Sequence, residues 1–113
     1  MSRYLILSSF VALTMAGCAS VDDLRKKEPV FFATTAKTPQ AYGECVAQTW
    51  RDIGKREVTL QKIRNGVDVV ARSSMNVEEV VRVQHYDNKT HVEMFVRTNY
   101  HTAAMTQGPN VCL

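Results

Sequence analysis

Three histidines are the residues of this chain that could most readily hold a metal ion. His91 and Glu93 are two residues apart, so on a strand their side chains would share one face, and His101 could approach them. A zinc site needs three or four ligands converging at about 2.0–2.3 Å from the metal. The alternative is that His85, His91 and His101 are hydrogen-bonded structural residues. The sequence favours that alternative, so we expect no metal site and no other cofactor.

Residue patterns for catalysis are sparse. The chain contains no Gly-x-Ser-x-Gly nucleophile turn and no glycine-rich phosphate loop. Glu78 and Glu79 are adjacent, so on a strand they would point to opposite faces and could not share one acid–base site. Cys45 or Cys112 could act as a nucleophile beside a histidine. We expect no catalytic residues and no enzymatic activity.

The first eighteen residues have the organisation of an export signal. Arg3 is followed by an uncharged, mostly apolar run over residues 4–16. A helix of this length spans about 20 Å, whereas the apolar core of a bilayer is about 30 Å thick. The run is therefore too short to cross a membrane, and with the small residues that follow it is typical of a secretory signal peptide.

Met15-Ala16-Gly17-Cys18 resembles a lipobox, the cleavage site of bacterial lipoprotein signal peptides, although Leu is usual at the first position. The resemblance implies that residues 1–17 are a signal peptide that is removed. It also implies that Cys18 carries a diacylglyceryl group and acyl chains such as palmitate, which would attach the protein to a membrane. Ala19 rather than Asp follows Cys18, and in this class that implies the outer membrane. A plain secretory signal with a chance cysteine is the alternative.

Two further cysteines, Cys45 and Cys112, form an even pair in a chain that is expected to be exported. Such a pair usually forms a disulfide outside the cytoplasm. We predict this bond, with two free thiols as the alternative. A closed loop of about 70 residues would stabilise the fold by about 4 kcal/mol in the chain-entropy model.

The composition is that of one small globular domain. The 113 residues are 45% hydrophobic and 22% charged, and the net charge is +3. This charge is too small and too evenly spread for a nucleic-acid-binding protein. We predict that residues 18–38 are a lipidated N-terminus and tether, and that residues 39–113 are a small α+β periplasmic domain. Residues 22–28 are expected to be solvated, whereas residues 30–33 could form an edge strand or a contact for a partner.

The clearest helix is predicted over residues 39–53. Thr38 suits the N-cap and Pro39 the first helical position. An apolar stripe with helical spacing follows, formed by Tyr42, Cys45, Val46, Thr49, Trp50 and Ile53. Trp50 could stack on a ligand, but at this spacing we expect it in the core.

A first β-hairpin is predicted from strands 57–64 and 67–73. Asn65-Gly66 lies between them, and this dipeptide is the strongest short hairpin signal. The two-residue turn would place Leu60 opposite Ala71.

A second β-hairpin is predicted from strands 79–87 and 90–98, with its turn at residues 88–89. This register places Val83 opposite Met94 and leaves one apolar face. After it, a short helix over residues 100–107 is expected to stop at residues 108–109. The predicted fold class is α+β, with one long helix packed on a four-stranded antiparallel meander sheet and a disulfide to the C-terminus.

The other face of the second hairpin is the best candidate for contact with a partner. It carries Arg82, Gln84, Tyr86, His91, Glu93, Phe95 and Arg97. Aromatic residues mixed with arginine are typical of a protein-binding patch. An ordinary solvated sheet face is the alternative.

The order of features resembles a pattern in small, uncharacterised proteobacterial lipoproteins. The shared features are Lys37-Thr38-Pro39, Tyr42, Cys45-Val46, Trp50, Asn65-Gly66 and Cys112. The resemblance implies no known activity. We therefore expect a non-enzymatic periplasmic binding or envelope-accessory module with an envelope protein as partner. The alternative is an inhibitor of an envelope-attacking enzyme such as lysozyme, although the Ser-Gly-x-x-Tyr loop of that class is missing here.

Overall fold

The structure, a computed structural model, describes residues 19–54, 57–98 and 103–113. Cys18 and His101 lie outside these ranges. The elements in chain order are α1 Val21–Arg25, β1 Phe31–Thr35, α2 Pro39–Asp52, β2 Glu57–Ile63, β3 Gly66–Arg72, β4 Val77–Tyr86, β5 Lys89–Val96 and α3 Ala103–Val111.

One antiparallel sheet of five strands forms the centre of the molecule, in the order β1-β5-β4-β3-β2. The α+β class is confirmed, but the prediction of four strands is wrong. The fifth strand is β1, which pairs with the edge of β5 and places Phe31 opposite Met94. The edge-strand interpretation of the apolar run at residues 30–33 is therefore confirmed.

Helix α2 packs on one face of the sheet through its apolar stripe. Tyr42, Val46 and Trp50 are fully buried, as the helical spacing predicts. The Thr38 hydroxyl accepts a hydrogen bond from the Ala41 amide at 3.2 Å, so the predicted N-cap is confirmed. Gly43 lets the helix approach the sheet, because a Cβ there would lie within 3 Å of side-chain atoms of β2 and β3. With 14 residues α2 has an ordinary length, and the prediction of a long helix is wrong.

The predicted disulfide between Cys45 and Cys112 is confirmed, with 5.8 Å between the two Cα atoms. It fastens the C-terminus of the chain to α2. Helix α3 continues past Gly108 and Pro109, so the predicted stop is wrong. The reason is tertiary contact: the Tyr42 hydroxyl donates to the Pro109 carbonyl oxygen at 2.7 Å and holds this turn against α2.

The first hairpin turns one position earlier than predicted. Ile63 pairs with Gly66, and Leu60 faces Val69 rather than Ala71. Gly66 therefore belongs to β3, where a Cβ would lie 1.8 Å from the Val83 carbonyl oxygen of β4. This register moves each partner by two residues, so the same side chains still face α2.

The second hairpin has the same correction. Val83 faces Val92 rather than Met94, and the turn is Asp87-Asn88. Both turn residues have positive φ, 52° for Asp87 and 60° for Asn88. Asp and Asn adopt this left-handed region more readily than the Lys89 of the predicted turn.

The N-terminal helix α1 covers part of the second face of the sheet. Residues 22–28 were expected to be solvated, yet Leu24 is only 1% exposed and packs with Val70, Val77, Val80 and Phe95. Ser20 and Asp23 form a capping box at the start of α1. The segment forms a helix because the buried Leu24 and this local cap hold it on the sheet. The many charged residues around Leu24 led to the prediction of a solvated segment.

Candidate binding face

The seven residues predicted for partner contact do not form one exposed surface. Phe95 was expected to be available to a partner, but it is only 4% exposed because α1 lies over it. Arg97 lies at the same end of the sheet, and its Nε donates to Glu78 Oε2 at 2.8 Å. This hydrogen bond raises the pKa of Arg97. Phe95 is therefore part of the packing under α1, and Arg97 is held by Glu78.

The remaining five predicted residues lie on the part of the sheet that α1 leaves uncovered. We call this surface the open face. It comprises Phe32 of β1, Arg82, Gln84 and Tyr86 of β4, and His91 and Glu93 of β5. All six belong to strands of one sheet, so the backbone fixes their relative positions.

An ion pair lies where the open face borders β3. Arg82 Nε and Nη2 donate to the two Asp68 carboxylate oxygens, each at 2.7 Å. The Arg82 side chain is 14% exposed and that of Asp68 2%. Bidentate pairs of this kind have fixed geometry. These two Arg82 donors are therefore occupied by Asp68, which lies directly opposite Arg82 on the neighbouring strand β3.

Tyr86 and His91 form a stacked aromatic pair on the open face. Their ring centroids lie 3.7 Å apart and their planes differ by 8°. His91 Nε2 also lies 3.2 Å from the Tyr86 carbonyl oxygen and can donate to it in the Nε2–H tautomer. His91 was predicted to lie directly across from Tyr86. It faces Gln84 instead, and the stack forms along the diagonal.

Two further residues complete the open face. The Gln84 amide nitrogen donates to the Arg64 carbonyl oxygen at 3.1 Å and ties β4 to the first turn. Phe32 is 67% exposed and lies opposite Glu93 on the neighbouring strand. Phe32 is missing from the predicted contact set. Its signal was the alternation of the edge strand, which places the half-buried Phe31 against the core and turns Phe32 outward.

A shallow groove lies on the opposite face, beside the start of α2. It has a volume of about 320 Å³ and is lined by Thr38, Pro39, Gln40, Lys62, Asn65, Gly66, Val67 and His85. His85 is exposed there, and its Nδ1 lies 3.2 Å from the Thr90 hydroxyl oxygen. His85 and His91 thus lie on opposite faces of the sheet.

Within residues 19–54, 57–98 and 103–113, no three His, Cys, Asp or Glu side chains are grouped so that they could hold a metal ion. In the same ranges, every helix is too short or too polar to cross a membrane. Comparison with protein-family models, with curated proteins and with solved structures finds no match to this chain.

Proposed function

We propose that the protein is a lipid-anchored lipoprotein of the bacterial outer membrane whose domain faces the periplasm and binds an envelope protein through the open face. The role is non-enzymatic. The observation that carries this proposal is the open face itself, a surface on which the strands of one sheet hold the exposed aromatic side chains of Phe32 and Tyr86.

The anchoring part of the proposal is supported by the sequence before the domain. Met15-Ala16-Gly17-Cys18 resembles a lipobox and follows an apolar run of signal-peptide length. The Cys45–Cys112 disulfide is in keeping with an oxidising compartment.

The binding part is supported by the chemistry of the open face. Phe32 and the Tyr86–His91 stack offer apolar area on side chains that lose little conformational freedom on binding. Aromatic residues of this kind dominate the binding free energy of many interfaces. Glu93 adds a carboxylate beside Phe32, so a complementary partner would present an apolar pocket with a basic rim.

Lipid attachment is tested by mass spectrometry of the protein purified from bacterial membranes. We expect a mature chain that starts at Cys18 and carries the mass of its acyl chains. Cys18→Ser should abolish both the added mass and the membrane association. An unmodified Cys18 in the membrane-purified chain would contradict the anchor.

Partner binding is tested by capture from a detergent-solubilised envelope. The intact lipidated protein is compared with Tyr86→Ala, and Gln48→Ala on the exposed side of α2 is the matched control. Loss of an aromatic contact of about 2 kcal/mol would weaken binding about 30-fold. Equal capture by Tyr86→Ala and Gln48→Ala would contradict the assignment of the open face.

A further inference from the structure

The chain is tied to the sheet from the first residue that the structure describes. The Ala19 amide donates to Asn76 Oδ1 at 2.9 Å, and the Ala19 carbonyl oxygen accepts from the Val77 amide at 3.0 Å. Ala19 also packs against the cluster formed by Leu24 and the sheet. The next residue, Ser20, is the N-cap of α1. No free segment separates residue 19 from the folded domain.

We infer that the domain rests directly on the bilayer, with the turn between β3 and β4 at the lipid surface and Met75 in the interfacial layer. The inference rests on the proposed lipidation of Cys18. Consecutive Cα atoms are about 3.8 Å apart, so the acylated residue lies one such step from Ala19. The lipid therefore holds the start of β4 within about 10 Å of the bilayer surface.

The end of the sheet nearest to Ala19 carries side chains that suit a lipid interface. Met75 is 68% exposed in the turn between β3 and β4. Ile53 at the C-cap of α2 and Val30 before β1 are also exposed, and both precede strands that begin at this end. An apolar side chain on a surface already held at the membrane can enter the headgroup layer without refolding.

Charge at this end is mixed, so the lipid anchor rather than electrostatic attraction sets the orientation. Arg25, Lys26 and Lys27 are exposed near the end of α1. Asp22 and Asp23 lie in the first turn of the same helix and the exposed Glu28 follows it, so three acidic side chains offset the three basic ones. The protein therefore needs its acyl chains in order to stay on the bilayer. A chain that lacks them should not bind vesicles.

The orientation has a consequence for the open face. Strand β4 has ten residues and starts beside the proposed membrane contact. At about 3.3 Å per residue it carries the Asp87-Asn88 turn about 30 Å away from the lipid. The strands then stand upright on the membrane, and the open face is presented sideways to proteins in the periplasm.

The inference is tested by fluorescence depth measurements on the full-length lipidated protein in vesicles of phosphatidylethanolamine and phosphatidylglycerol. An environment-sensitive dye is attached through Met75→Cys, and through Asn88→Cys as the matched control at the opposite turn. Lipids with a shallow nitroxide should reduce the fluorescence of the label at position 75 about twofold, as expected for a dye at the headgroup boundary. The label at position 88 should be unaffected. Ser74→Cys repeats the first measurement on the same turn.

A variant with a flexible linker after Cys18 gives the second comparison. Ten Gly and Ser residues inserted between Cys18 and Ala19 would let the domain leave the surface, so quenching at position 75 should fall to the level at position 88. Equal quenching at both positions in an acylated, vesicle-bound protein would overturn the inference while leaving the anchor intact. A protein that carries no acyl chains and stays off the vesicles would overturn both the inference and the proposed function.

Discussion

Leu24→Ala tests whether α1 is an integral part of the fold. Leu24 is 1% exposed and is the α1 side chain buried among Val70, Val80 and Phe95 on the sheet. Truncation of a buried leucine costs about 2–5 kcal/mol, of which the cavity contributes a part that depends on how well the site collapses. Because α1 has five residues and lies at the surface, it can detach rather than leave a cavity. We therefore expect a loss near the lower limit, about 2 kcal/mol.

The assay is urea denaturation of the chain from residue 19 onwards with its disulfide intact, combined with amide hydrogen exchange over α1. Arg25→Ala is the matched control, since Arg25 is exposed on the same helix and its loss should change the free energy of unfolding by less than about 0.5 kcal/mol. Leu24→Ala should also raise hydrogen exchange in α1 and at Phe95. If Leu24→Ala and Arg25→Ala have equal effects on both observables, α1 is not held to the sheet as we describe.

Three further predictions concern the disulfide, the α1 cap and the first hairpin. Replacing Cys45 and Cys112 by serine should lower the free energy of unfolding by about 4 kcal/mol, measured by denaturation against the oxidised chain, because the bond closes a loop with a sequence separation of 67 residues. Hydrogen bonds from Ser20 hold the pKa of Asp23 below its ordinary value of 3.8, so its stabilisation of α1 is present above that pH and is lost as the pH falls through the lowered value. An acid titration monitored by NMR should show α1 detaching before the rest of the domain unfolds, and Asp23→Asn should remove that pH dependence. Gly66→Ala should unfold or shift the hairpin, seen as lost β3–β4 amide protection, because the new Cβ would meet the Val83 carbonyl oxygen.

Patterns that repeat along the chain were sufficient to predict much of the fold. The spacing of Tyr42, Val46 and Trp50 predicted both the position of α2 and the face it buries, because a helical stripe needs one partner surface. The pairing of Cys45 with Cys112 followed from their number and the expected compartment.

Features set by single contacts between distant residues could not be predicted in the same way. The register of the first hairpin depends on Gly66 meeting β4, a contact that a local Asn-Gly signal does not contain. Helix α1 depends on the packing of Leu24 against Phe95 and its neighbours on the sheet. The same contact removed Phe95 from the predicted binding surface.

The shared face of four residues was predicted for a related reason. Strict alternation along β4 and β5 identified Gln84, Tyr86, His91 and Glu93 as neighbours on one face, because side-chain direction has a period of two. The pairing of Arg82 with Asp68 requires the register between β3 and β4, which a sequence read as two separate hairpins does not supply.

The most direct test of the central claim is site-specific photo-crosslinking in living cells. A photoreactive amino acid replaces Gln84 or Phe32 on the open face, and Gln48 on the exposed side of α2 serves as the control. We predict one discrete adduct with an envelope protein from both open-face positions and none from position 48. No adduct from the open face, or the same adducts from all three positions, would contradict the assignment of this face as the binding surface.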